Sequence, residues 1–100
     1  MNKKSLELEK QTFLFNTNID IQNQQAKIEQ IKDTMSYDDE IIKLRTNITT
    51  SSEIKMQQGT ITVNDYMREV TAENLAKQVK ILHEIELLQA VYEMKNIINQ

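Results

Sequence analysis

Apolar residues recur every seven positions along the first half of the chain, in an unbroken ladder that is apolar except at Thr49. The ladder consists of Leu14, Ile21, Ile28, Met35, Ile42, Thr49 and Met56. An apolar period of 3.5 residues is typical of the seam of a left-handed coiled coil. The pattern therefore predicts one long helix over about residues 5–56.

The companion positions, which lie three residues after each ladder residue, are mostly polar. In a dimeric leucine zipper these positions are apolar as well. They are Thr17, Gln24, Ile31, Asp38, Arg45 and Ser52. A second, partial stripe adds Leu6, Phe13, Ile41, Leu44 and Ile48. The apolar surface is therefore broad, which favours a helix with neighbours on more than one side over a two-stranded rope.

The SYDDE segment, Ser36 to Glu40, is the one weak point of this predicted helix. Ser36 suits an N-cap, with acidic side chains in a new first turn. The ladder nevertheless runs through the segment, because Met35 and Ile42 are still seven apart. A continuous helix, bent near residues 36–40, is the favoured reading, and a three-helix arrangement jointed at Ser36 is the alternative.

The MQQGTIT stretch, Met56 to Thr62, holds the only glycine of a chain that has no proline. A glycine adopts positive φ without steric cost, which suits a sharp reversal at Gly59. Beyond it, either Thr62 or Asn64 can cap a second helix of about residues 63–98. Apolar residues then recur at three- and four-residue steps: Met67, Val70, Leu75, Val79, Leu82, Ile85, Leu88, Val91, Tyr92, Met94 and Ile98.

Two helices joined by a short turn fold back antiparallel. The predicted fold is all-α: a single long helical hairpin spanning residues 1–100, with its turn at residues 57–62. Arms of ~35 to 50 residues would be ~50 to 75 Å long. One partner helix cannot cover such broad stripes, so the isolated hairpin is expected to associate with further helices or with copies of itself.

Composition and charge narrow the functional classes. The net charge is -3 and the basic residues form no stripe, which argues against a nucleic-acid partner. No apolar run approaches the ~20 residues of a membrane-spanning helix. The start, MNKKSLELEK, has no apolar core of a signal peptide. A role outside the cytoplasm would therefore require that the chain be part of a longer protein.

The residues offer little catalytic chemistry. HEIEL, which begins at His83, lacks the second histidine of the zinc-peptidase motif because Leu87 stands there. Asp38, Asp39 and Glu40 lack calcium-loop spacing and are expected to form a solvated acidic turn. TNITTSSE, from Thr46 onward, predicts a polar face with hydroxyls bonding back to helix carbonyls. No enzymatic activity, metal or cofactor is predicted.

Four segments of the chain, taken in order, carry a resemblance to a known family: FLFNTNIDIQNQQAKIEQI (13–31), DDEIIKLRTNI (38–48), QQGTITVNDYMREVTAEN (57–74) and HEIELLQAVYEMK (83–95). Together they resemble the C-terminal part of the TolC family of outer-membrane efflux channels, most closely its Bacteroidetes-type members. The likeness covers nearly the whole chain, although its specificity lies in the combination rather than in any one motif.

This resemblance implies a periplasmic hairpin within a homotrimeric channel of the outer membrane. The residues around Gly59 would form its periplasmic tip and contact an adaptor protein that couples the channel to an inner-membrane pump. The expected contact residues are Gln57, Gln58, Gly59, Thr60, Ile61 and Thr62. Without the barrel strands and the first hairpin, the chain should not form a channel alone.

The resemblance also implies a channel constriction just beyond the turn, near Asp65 and Arg68. The family's gate does not carry over fully, because Met56 and Ile61 depart from its usual residues and Arg68 replaces an acidic one. For this pair, a plain surface ion pair is the equal alternative. For the whole chain, the alternative is a free-standing coiled-coil adaptor or structural protein of the cytoplasm.

Overall fold

Two antiparallel helices make up the computed structural model, which describes residues 3–99. Helix α1 spans Lys3–Gln57 and helix α2 spans Val63–Ile98, and residues 3–99 contain no strand. The rod measures 85 × 14 × 14 Å. The predicted all-α hairpin is confirmed, and both helices begin and end within two residues of the predicted bounds.

Helix α1 is continuous through the segment Ser36 to Glu40. The predicted continuity of the helix is confirmed and there is no joint at Ser36, whereas the bend near residues 36–40 stays a prediction. A physical reason is that Met35 and Ile42 keep their seven-residue spacing across the segment, so the same side of the helix faces α2 before and after it. Breaking the helix at Ser36 would disrupt that register.

The seam between the helices follows a regular heptad on both sides. On α1, the ladder positions from Ile21 to Met56 are half-buried, and the companion positions are the most deeply buried of that helix. The buried companions are Gln24, Ile31, Asp38 and Ser52. The polar companions therefore do not prevent α1 from packing against α2 along this seam, and the expectation of neighbours on further sides stays a prediction. The amide of Gln24 and the carboxylate of Asp38 both find partners on α2. Among residues 3–99, no fully buried side-chain nitrogen or oxygen atom lacks a hydrogen bond.

Helix α2 faces α1 with a different set of residues from the apolar steps predicted for it. Its seam positions are Tyr66, Glu69, Glu73, Ala76, Lys80, His83, Leu87, Ala90, Met94 and Ile97. Ala90 is the most buried residue among these, at 1% exposure. Most of the predicted apolar steps instead point away from α1 and are exposed, including Leu75, Leu82 and Leu88. The apolar pattern of α2 thus marks its outer surface rather than its contact with α1.

Polar contacts join the two helices at several positions along the rod. The amide of Gln24 donates to the Ala90 carbonyl at 2.8 Å and to the Glu93 carboxylate at 3.0 Å. Nearer the turn, Arg45 pairs with Glu69 at 3.8 Å. These long-range contacts fix the register of one helix against the other, because a shift by one residue would break all of them at once.

The acidic segment is solvated at Asp39 and Glu40, as its sequence predicted, but not at Asp38. Asp38 is 6% exposed and its carboxylate contacts Nδ1 of His83. Asp39 pairs with Lys80 at 2.6 Å, and only Glu40 projects into solvent without a role in the seam. The correction follows from the heptad: Asp38 occupies a companion position and therefore faces α2.

Much apolar surface remains uncovered. Of the described residues, only Ile31 and Ala90 are buried hydrophobics. Helix α1 has 55 residues and α2 has 36. The first part of α1 therefore projects beyond α2 by roughly 28 Å. That projection exposes Leu6, Leu8, Phe13, Leu14 and Phe15. Neither described helix is long and apolar enough to cross a membrane.

Candidate functional site

The turn between the helices is held by three backbone hydrogen bonds. The N–H of Thr60 donates to the Lys55 carbonyl at 2.8 Å, and that of Gly59 to the Met56 carbonyl at 3.0 Å. This pair of bonds is the Schellman pattern of a helix C-terminus, with Gly59 immediately after the cap. A third bond, from the N–H of Gln58 to the Ile54 carbonyl, measures 3.0 Å. The turn is thus built by the backbone and does not depend on a partner.

Gly59 is required by conformation and not by crowding. Its φ is +75°, a value that L-residues other than glycine rarely adopt. A Cβ placed on Gly59 would meet no atom within 4 Å. The outer side of the turn is therefore open space, and the predicted reason for a glycine at this position is confirmed.

A capping box begins helix α2. The Asp65 N–H donates to the Thr62 hydroxyl at 3.1 Å, and the Thr62 N–H donates to the Asp65 carboxylate at 3.2 Å. Of the two predicted caps, Thr62 is therefore the one used and Asn64 is not. The hydrogen bonds from the Thr62 backbone and hydroxyl, with a smaller contribution from nearby Arg68, lower the pKa of Asp65.

The two predicted constriction residues lie side by side. Arg68 Nη1 is 3.9 Å from Asp65 Oδ1, one turn apart on the surface of α2. The Arg68 side chain is 81% exposed, so the ion pair is worth little by itself. Asp65 also hydrogen-bonds to Thr62, and Arg68 is the more exposed of the two charges. A role in a channel constriction stays a prediction.

The predicted adaptor-contact residues form one exposed surface at the end of the rod. We call residues 57–62 the tip segment. Five of its residues are exposed and Ile61 is half-buried. The segment carries no charge, and its side chains offer amides and hydroxyls. Together with the open space at Gly59, this surface can accept a polar backbone-mediated contact from another protein.

Sequence reasoning missed the polar pair at the middle of the hairpin. His83 and Asp38 lie 45 residues apart in sequence and meet in the seam, with their side chains 22% and 7% exposed. The contact joins Nδ1 of the His83 ring to a carboxylate oxygen of Asp38. The available signal was the heptad, because Asp38 is a companion position of the ladder and faces α2.

Within residues 3–99, no three histidine, aspartate or glutamate side chains are grouped so that they could hold a metal ion. The His83–Asp38 pair is a polar contact within the seam.

Comparison with known proteins does not assign the chain to a family. No family, no curated protein and no solved structure matches it. The fold and the tip are the basis on which a function can be proposed.

Proposed function

We propose that the chain is the periplasmic helical hairpin of an outer-membrane efflux or type I secretion channel, with the tip segment docking a periplasmic adaptor protein. The single observation that carries the proposal is the tip: a rigid, uncharged and solvent-exposed turn at the end of an 85 Å rod. The resemblance to TolC-family sequences supplies the biological context. The role is structural and needs no catalytic group or cofactor.

The open side of Gly59 supports docking through the backbone. A partner's main chain can approach to contact distance where no side chain intervenes. The amides of Gln57 and Gln58 and the hydroxyl of Thr60 surround this point and can hydrogen-bond to a similar polar tip. The turn is already formed by its own hydrogen bonds, so docking would cost little ordering entropy.

The uncovered helix faces support a place in a larger helical wall. Large apolar residues are exposed along both helices, and no second hairpin is present to cover them. In a homotrimeric channel that spans the periplasm, neighbouring hairpins would bury these faces. The adaptor at the tip would connect the channel to its inner-membrane pump.

The Asp65–Arg68 pair is the proposed constriction element within this channel. Its position on the first two turns of α2 would bring three copies close together at the narrow end of a trimer. Because Asp65 is held by the capping box, a change of its charge would alter both the constriction and the start of α2. Arg68, which has no part in the cap, is the residue through which constriction can be tested separately.

The test of docking is Gly59→Val in the full-length channel protein. A β-branched residue at φ +75° should strain the turn by about 1–2 kcal/mol and displace the tip segment. We expect reduced crosslinking to the adaptor and reduced export. Gly59→Asn is the matched control, because asparagine tolerates positive φ, and it should retain more of both activities.

Normal export together with normal adaptor crosslinking in Gly59→Val would contradict the tip assignment. Circular dichroism of the variant hairpin establishes that the helices persist, so that a loss of coupling is not a loss of folding. The parent gene provides a further check: a signal peptide and amphipathic strand segments are expected. A complete reading frame of only these 100 residues would instead favour the free-standing coiled-coil protein.

A further inference from the structure

A second heptad pattern runs along each helix, beside the seam positions. Its apolar members are spaced four, three and four residues apart on α1 and three, four and three apart on α2. We call these eight residues the flanking face. They are Tyr37, Ile41, Leu44 and Ile48 on α1, and Ala72, Leu75, Val79 and Leu82 on α2.

Both stripes of the flanking face lie on the same side of the hairpin. A groove on that side is lined from α1 by residues that include Gln30 and Thr34, and from α2 by residues that include Glu86 and Gln89. One heptad nearer the turn, the same positions are occupied by members of the flanking face on each helix. The polar groove therefore continues toward the turn as an apolar one.

Six of the eight residues of the flanking face are exposed in the hairpin, and Ile48 and Ala72 are half-buried. Leu44 is 60% exposed, Leu75 is 55% exposed and Leu82 is 59% exposed. Ile41 and Val79 are also exposed, although they lie closer to the seam. Apolar stripes of three turns on two adjacent helices form the kind of surface that two further helices cover in a four-helix bundle.

We propose that the flanking face binds a second copy of this chain, face to face and antiparallel, to form a four-helix bundle. The argument is that the sequence of α2 is symmetric about Lys77. A two-fold axis that crosses the helix at Lys77 places Leu75 opposite Val79 of the second copy and Ala72 opposite Leu82 of the second copy. It also places Arg68 opposite Glu86 of the second copy, so that the apolar contact is bounded by opposite charges at both ends.

Helix α1 has the same symmetry about the midpoint between Ile41 and Leu44. These two residues oppose each other across the copies, and Tyr37 opposes Ile48 of the second copy. Lys55 falls opposite Gln30 of the second copy, so no like charges meet. The pattern on α1 thus specifies an antiparallel contact independently of α2.

The two-fold axes found on α1 and on α2 lie at the same level along the rod, as the contacts across the seam show. Asp39 pairs with Lys80 at 2.6 Å, and Thr46 donates to Glu73 at 3.4 Å. The point midway between Asp39 and Thr46 is the midpoint found on α1, and the point midway between Lys80 and Glu73 lies within one residue of Lys77. Two independent sequence symmetries therefore coincide in the folded hairpin.

A parallel pair of hairpins would form fewer new pairs of opposite charges between the two copies. It would set Lys27 against Glu93 of the second copy, although these residues already pair within the hairpin at 3.5 Å. It would also set Glu86 opposite Thr34, without a cation. The antiparallel arrangement is favoured because it gives Glu86 a cationic partner, Arg68 of the second copy, whose side chain is 81% exposed beside Asp65.

The oligomeric state of the 100-residue chain tests the face itself. Sedimentation equilibrium should show a dimer at micromolar concentrations. Leu75→Lys should raise the dissociation constant at least about hundredfold, because two-fold symmetry buries the new charge twice. Leu88→Lys is the matched control: Leu88 is equally exposed on α2 but lies outside the flanking face. A monomer at every concentration, or equal effects of both variants, would overturn the proposal.

Charge exchange tests the orientation. Arg68→Glu and Glu86→Arg should each weaken the dimer by about tenfold, since each places like charges together at both ends of the contact. The double variant should restore the original dissociation constant. Circular dichroism should show unchanged helix content in all three. A double variant as weak as the sum of the single ones would exclude the antiparallel pairing.

A distance measurement gives the orientation directly. The chain has no cysteine, so Gln58→Cys carries a single spin label at the turn. In the antiparallel dimer, the two labels should be about 45 Å apart. In a parallel dimer they would be about 10–20 Å apart, and that result would refute the proposal.

This dimer goes beyond the proposed channel function and does not rest on it. Dimerisation is measured on the isolated chain and involves the flanking face, whereas docking is measured in the full-length channel and involves the tip segment. A monomeric chain would leave the docking role intact, and a failed docking test would leave the dimer intact.

Discussion

At the residue scale, the turn is determined by very few positions. Gly59 supplies the positive φ that ends α1, and Thr62 with Asp65 supplies the hydrogen bonds that begin α2. Only five residues separate the two helices, so each of these positions carries a large share of the reversal. Their roles come from backbone geometry, which explains why local sequence predicted the glycine and limited the cap to Thr62 or Asn64.

Removing the cap hydroxyl tests this assignment. Thr62→Ala should destabilise the hairpin by about 1 kcal/mol, because the Asp65 N–H loses its acceptor. Thermal unfolding followed by circular dichroism gives the difference. Thr60→Ala is the control within the same turn, since Thr60 contributes its backbone N–H there, and it should change stability much less. Equal losses in the two variants would contradict the capping role.

At the element scale, the contact between α1 and α2 is unusually polar for a coiled coil. Its buried positions include Gln24, Asp38 and Ser52, and the side chains of Gln24 and Asp38 contact polar groups of α2. Such contacts contribute modest net stability but strongly disfavour other registers. The heptad period predicted where the seam would lie, whereas the partners of its polar residues depended on α2.

The contribution of a polar seam contact to stability can be measured at the pair formed by His83 and Asp38. Asp38→Leu should destabilise the hairpin by about 2 kcal/mol, because it leaves a half-buried imidazole without its acceptor. The double variant Asp38→Leu with His83→Leu should recover most of that loss, since both polar groups are removed together.

Unfolding midpoints of the two single variants and the double variant complete the cycle. Additive losses would show that the two side chains do not interact. As a matched control, Glu40→Leu changes the neighbouring exposed carboxylate and should alter stability little.

At the scale of the whole molecule, the hairpin is a rod with little enclosed core. Its 14 Å width is that of two helices, and many large apolar side chains remain exposed. Stability therefore depends on the continuous seam and on polar contacts along it. The exposed faces require neighbours, and both the proposed channel wall and the proposed dimer supply them.

The dependence of stability on pH follows from these polar contacts. The Thr49 hydroxyl and Lys77 lower the pKa of Glu73, and the cap lowers the pKa of Asp65. Because the pKa of each carboxyl is lower in the folded chain, its contribution to stability is fully present above its pKa in the unfolded chain, which is about 4. It is lost as pH falls through the folded value.

We therefore expect the unfolding temperature to be flat from pH 7 to about 5 and to fall below about pH 4. The measurements are made at a low protein concentration, at which self-association is minimal. Glu73→Gln should lower the neutral-pH stability and reduce the acid-dependent fall, whereas Glu40→Gln, at an exposed position outside the seam, should leave the curve unchanged. An unchanged acid transition in Glu73→Gln would contradict the assignment.

Sequence alone determined the two helices, the position of the turn and the need for glycine there. These features depend on local backbone preferences and on a seven-residue period, both of which can be read along a single chain. The predicted continuity of α1 through residues 36–40 belongs to the same class, because the period crosses that segment without a shift.

Only the tertiary structure decided which faces meet. Asp38 was predicted to be solvated and is buried, while Leu75 and Leu82 belong to an apolar pattern yet lie exposed. Each helix carries more than one apolar stripe, so its own sequence does not specify which stripe faces the partner. The pairing of polar residues across the seam, such as Gln24 with Ala90 and Asp38 with His83, made that choice.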